Sequence, residues 1–183
     1  MSGAHGHGHA DPSNKKTALL IAVLALVLAF SETLGKSAQT AALSLNIEAS
    51  NLWAFFQAKT IRQTVLRTAA EQTAIAASNE QAKKQIDTWK KTADRYQSEP
   101  ETGEGRTELA ARAKEAEKKR DRALAAYHHY ELASAAVQIA IVLASASIVV
   151  STPVLAWIGA GLGVVGIVFS LIGFFFPTAV HLF

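Results

Sequence analysis

Cysteine is absent from the 183-residue chain, which removes disulfide frameworks, thiolate metal sites and cysteine nucleophiles, and leaves the redox compartment unconstrained. Charge is absent from one whole end, with no Lys, Arg, Asp or Glu from 132 to 183. Proline and glycine are absent from Lys36 to Glu99, which removes the usual helix breakers from that stretch. Also absent are a Walker loop, a dinucleotide fingerprint, a Gly-x-Ser-x-Gly elbow and a His-Glu-x-x-His motif, so nothing local points to an enzyme.

Half of the residues are apolar, and they gather at the two ends. About 20 apolar residues cross a bilayer, so the uncharged tail is long enough for two spans. Ser151, Thr152 and Pro153 divide it, predicting antiparallel helices at 132–151 and 154–176 and a short tail at 177–183. The first apolar run, 18–30, is short enough to be a signal-peptide core. Snorkelling Lys15 and Lys16, together with Ser31 to Leu34, extend it to span length, so an uncleaved span at 17–34 is expected. Lys15 and Lys16 flank one side, while Lys36, Lys114, Lys118, Lys119, Arg120 and Arg122 flank the other. The positive-inside rule then puts residues 35–131 in the cytoplasm.

That central stretch carries mixed charge at helical spacing, the pattern of a solvated face rather than a nucleic-acid stripe. Its Ala, Gln, Lys, Glu and Arg content predicts helix up to Pro100, Gly103 and Gly105. A second helix begins near Arg106, with Leu109, Ala113, Ala116, Arg120, Ala123 and Tyr127 on one face. A helix from 35 to 98 would be about 96 Å long, and one from 106 to 131 about 39 Å. The two do not match as a simple hairpin. The sequence therefore predicts a turn between Asn46 and Arg67, a surface helix at 39–62, and an antiparallel hairpin of 68–98 with 106–131. Trp53, Phe55 and Phe56, with Tyr127 and Tyr130, are the expected membrane-interface aromatics; a seam against a neighbouring subunit is the other reading of the first three.

An uncharged ladder with steps of three and four residues runs from Leu43 through Ile47, Ser50, Ala54, Gln57, Ile61, Val65, Thr68, Gln72, Ile75, Asn79, Ala82, Ile86 and Trp89 to Ala93 and Tyr96. Such spacing marks a packing seam, and its polar members fix register and partner number. The stretch from Ile61 to Trp89 is the candidate oligomer or partner seam.

Gly35-Lys36-Ser37-Ala38-Gln39-Thr40, and the run from Asn46-Ile47-Glu48-Ala49-Ser50-Asn51-Leu52-Trp53-Ala54-Phe55-Phe56-Gln57 through Lys59, Ile61, Arg62 and Gln63, resemble a bacterial family of unknown function numbered 4337. Its members are small membrane proteins without an assigned activity. The resemblance covers most of the chain beyond residues 1–16, implies a bacterial membrane location and brings no catalytic residues.

His5, His7 and His9 alternate with glycine and could wrap zinc, copper or nickel. The tail supplies no fixed ligand or second shell, so it reads as a weak chelator. The expectation is an all-α, multi-pass inner-membrane protein: lipid-embedded, homo-oligomeric or part of a larger complex, non-enzymatic, and acting as a scaffold or accessory subunit. An oligomeric channel is the alternative, and metal binding or delivery a third reading.

Overall fold

The computed structural model describes residues 12–76 and 79–180. Four helices are present among them: α1 (Pro12–Ala76), α2 (Glu80–Gln97), α3 (Arg106–Val149) and α4 (Pro153–Phe175). No strand occurs among the described residues. The prolines sit where a helix tolerates them. Pro12 and Pro153 open α1 and α4 with a preset φ and no lost hydrogen bond, and Pro177 follows the end of α4.

The expected turn between Asn46 and Arg67 is not there. α1 runs unbroken for 65 residues, so 39–62 is not a separate surface helix. α1 ends at Ala76, and α2 is capped by Asn79, whose side chain accepts a hydrogen bond from Ala82 N at 2.8 Å. Asn79 is thus a capping residue rather than a seam residue.

The chain divides into two compact units, one formed by residues 1–40 with 122–183 and the other by 41–121.

In the second unit α2 does not pair antiparallel with α3. Arg67 lies 3.8 Å from Asp94, and Gln63 Nε2 donates to the Ala93 carbonyl at 3.0 Å, so α2 folds back along the last turns of α1. Farther back, Arg106 bonds Gln63, Trp53 bonds Glu117 and Arg120 bonds Asn46, so α3 also runs antiparallel to α1. The two shorter helices follow one another along the long one. This resolves the length mismatch without a turn inside α1. Between them, Gly103 adopts φ +67, and a Cβ on Gly105 would meet Ser98 Cα at 2.7 Å, so both glycines are needed for the connection. The core is Ala49, Leu52, Leu109, Ala113 and Ala116, with Trp53 and Phe56 packed on it; of the expected α3 ladder, Leu109, Ala113 and Ala116 belong to this core.

The first unit is built on small residues. Leu24, Val137 and Ala140 form its apolar centre. A Cβ on Gly159 would lie 2.8 Å from the Ala140 carbonyl oxygen, and one on Gly173 3.0 Å from His129 Cβ; one on Gly166 would strike Val137. These glycines, seven residues apart, let α4 lie against α3. The intervening Gly163 meets Leu24 of α1, and Ser170 Oγ bonds Ser31 Oγ at 2.8 Å. Ser151 closes α3 with φ 53, and Thr152 N donates to the Ser147 carbonyl, the six-to-one bond of a Schellman turn.

Three of the helices, α1, α3 and α4, are long and apolar enough to cross a membrane, and no more than 28% of any of their most apolar stretches is buried inside the chain. Leu19, Leu26, Val142, Val164 and Phe174 all face outward, consistent with lipid as their solvent.

Candidate oligomer interface

Two ladders run along α1 within residues 41–76. The inner one contains Ala42, Ala49, Leu52, Phe56, Lys59, Gln63 and Ala70, all buried or half-buried. The outer one is the uncharged ladder read from the sequence. Leu43, Ile47, Ser50, Ala54, Gln57, Ile61, Val65, Thr68, Gln72 and Ile75 are every one exposed. The offset of two residues turns one ladder about 200° from the other. In α1 the uncharged ladder therefore does not close within the chain: Ile61 is 65% exposed, Val65 60% and Ile75 89%.

In α2 the same residue series behaves differently. Ala82 and Trp89 are half-buried and Ile86 is buried, on the face of α2 that also buries Ala93. The candidate seam thus separates into an outward part, Ile61, Val65, Thr68, Gln72 and Ile75, the cap Asn79, and an inward part, Ala82, Ile86 and Trp89.

The inner ladder tolerates polar groups because each is matched. Gln63 accepts from Arg106 Nη1 at 2.6 Å and donates to Gln97 Oε1 at 3.2 Å. The Arg106 guanidinium lies 4.9 Å from the Phe56 ring, although its Nε has no protein partner. Lys59, 6% exposed, places Nζ 5.3 Å from the Phe55 ring, 5.1 Å from the Tyr96 ring and 3.6 Å from Glu104. Trp53 stands edge-on to Phe56 and donates to Glu117 at 2.8 Å. The three aromatics expected at a membrane interface thus have partners inside their own unit.

At the α2–α3 connection, Ser98 and the Glu99 amide hydrogen-bond Glu108, holding that carboxyl below its ordinary range, with the Ser98 bond the larger cause. The Arg95 guanidinium, hydrogen-bonded to Glu99, lowers the Glu99 carboxyl.

Tyr127 is half-buried and Tyr130 buried in the first unit. His129, which no local pattern marks as inward, is fully buried. Its Nε2 lies 3.2 Å from the Pro177 carbonyl oxygen, which can only accept, so Nε2 is the donor there, and Nδ1 has no protein partner. The ring stacks on Phe169. His128 Nδ1 sits 3.7 Å from Glu131. His5, His7 and His9 lie outside the described residues. No group of three or more His, Asp or Glu able to hold a metal occurs among the described residues.

A family model described as a domain of unknown function (DUF4337) matches residues 13–176, and the chain belongs to that family. No curated protein and no solved structure matches it.

Proposed function

We propose that this family member is a three-span protein of the bacterial inner membrane, with 35–131 on the cytoplasmic side, that self-associates through the outer face of α1 and serves as a scaffold or accessory subunit. One observation carries the reading: the uncharged ladder of α1 is exposed at every position from Leu43 to Ile75, while a separate ladder does the packing inside the chain. An outward stripe holding Leu43, Ile47, Ile61, Val65 and Ile75 buries apolar surface only against another molecule.

A second copy fits it best. Copies inserted in one membrane share an orientation, so a twofold axis along the membrane normal sets identical α1 faces parallel. Steps of three and four are the repeat that a parallel coiled coil requires, and Ser50, Gln57, Thr68 and Gln72 supply polar positions that select register. The three apolar helices and the basic residues flanking 35–131 support the membrane placement.

Native mass spectrometry of the full chain in mild detergent tests the reading. The wild type is expected as a dimer or larger, and the double variant Ile61→Lys, Val65→Lys as a monomer. A monomeric wild type in several mild detergents would overturn it.

A further inference from the structure

Within the first unit, a cleft of about 420 Å³ opens between α1 and α3 and is lined by Glu32, Lys36, Gln39, Tyr127, Glu131 and Gln138, among others. Its volume falls within the range of small-ligand sites, roughly 300–1,000 Å³. Its chemistry is out of place where it lies. Glu32 stands two residues after the apolar run of α1, and Gln138 stands inside the uncharged stretch of α3. Polar groups at such depth require partners. Gln138 Nε2 donates to one Glu32 oxygen at 3.2 Å. Glu131 accepts from Tyr127 at 3.4 Å and stands 3.7 Å from His128 Nδ1.

We propose that this cleft binds the headgroup of a phospholipid bearing a primary ammonium, with phosphatidylethanolamine as the ligand. Two carboxylates, Glu32 and Glu131, against one ammonium, Lys36, make the cleft net acidic while leaving one cation for a phosphate. An anionic headgroup would meet the carboxylates without a compensating charge. A choline headgroup carries its positive charge without N–H donors. A primary ammonium offers three donors to carboxylate oxygens while its phosphodiester faces Lys36. Apolar surface continues from the cleft toward the bilayer. Leu28, Ala29 and Ala25 follow Glu32 along its face of α1, and Val142, 66% exposed, lies one turn beyond Gln138 on α3. Ala25 and Ala29 are both exposed.

The inference rests on the membrane insertion of the first unit and not on self-association. Full-length protein reconstituted in vesicles is first tested by flotation and alkaline extraction; loss from the vesicles would contradict the membrane reading itself. Retained protein is then titrated with phosphatidylethanolamine, phosphatidylglycerol and phosphatidylcholine in detergent, with bound lipid read by native mass spectrometry. Phosphatidylethanolamine is expected to bind about tenfold tighter than either of the others. Glu32→Gln keeps the acceptor for Gln138, so the fold tolerates it. That variant and Glu131→Gln should each abolish most of the preference, whereas Lys36→Gln should weaken binding of all three lipids. Equal binding of the three by wild type, or an unchanged preference in both carboxylate variants, would overturn the proposal. So would soluble phosphoethanolamine competing as well as the lipid, since it would identify a water-soluble ligand.

Discussion

Lys59 Nζ lies 3.6 Å from Glu104 Oε2, on the inner face of α1, with almost all of its side chain buried. A lysine inside a seam costs desolvation energy, and here two aromatic faces and one carboxylate offset it. Because Glu104 is half exposed, the pair adds little net stability, and an apolar group of similar length should replace the cation without large loss. Lys59→Met is expected to change unfolding free energy by about 1 kcal/mol or less. Lys59→Ala, which removes the buried stem, should cost about 2 kcal/mol. Denaturant unfolding followed by circular dichroism checks both.

The glycines of α4 divide sharply by position. Gly159→Leu must push α4 off the Ala140 carbonyl, whereas Gly161 has nothing within 4 Å of a new Cβ. Overpacking of this kind costs roughly 1–3 kcal/mol. Gly159→Leu should therefore lower thermal stability in detergent, and Gly161→Ala should leave it unchanged or slightly higher. Equal effects from the two would contradict the packing of α4 on α3.

Asn79 and Gln72 separate two roles that the uncharged ladder merges. Asn79→Ala removes an N-cap, which typically costs about 1 kcal/mol, and should leave the subunit count unchanged. Gln72→Leu leaves the fold intact and should alter the oligomer distribution seen by native mass spectrometry. If Asn79→Ala changed only the oligomer, the capping assignment would fail.

Acid should loosen the α2–α3 connection. The Glu99 and Glu108 carboxyls are held below their ordinary value of 4.5, Glu99 first by Arg95 and Glu108 first by Ser98. A depressed carboxyl contributes stability above its unfolded-state pKa and loses it as pH falls through the folded value. Melting temperature should be flat near neutrality and fall below about pH 4.5. Glu108→Gln should flatten part of that fall.

Much of this fold was legible from where charge and helix breakers are missing. The uncharged tail with Pro153 marked α3's end and α4, and the α3 ladder of Leu109, Ala113 and Ala116 is the inner face it looked like. The seam within α1 was less legible, because absence of charge was a poor guide to burial there. Lys59 and Gln63 are inside, satisfied by Glu104, Ala93, Gln97 and Arg106, all distant in sequence. The expected turn inside α1 is absent for a related reason: α2 and α3 share α1 in succession, so the helix lengths need not match as one hairpin. Nothing local marks His129 as inward, because its burial depends on Gly173 and Pro177, nearly fifty residues away.

The outer face of α1 is proposed to meet the same face of another copy. The chain has no cysteine, so one introduced thiol reports on one position without background. Ile61→Cys and Val65→Cys, oxidised in native membranes, are predicted to give disulfide-linked dimers, while Lys90→Cys on the exposed side of α2 stays monomeric. Dimers from Lys90→Cys alone, or from none of the three, would rule out contact through the outer face of α1.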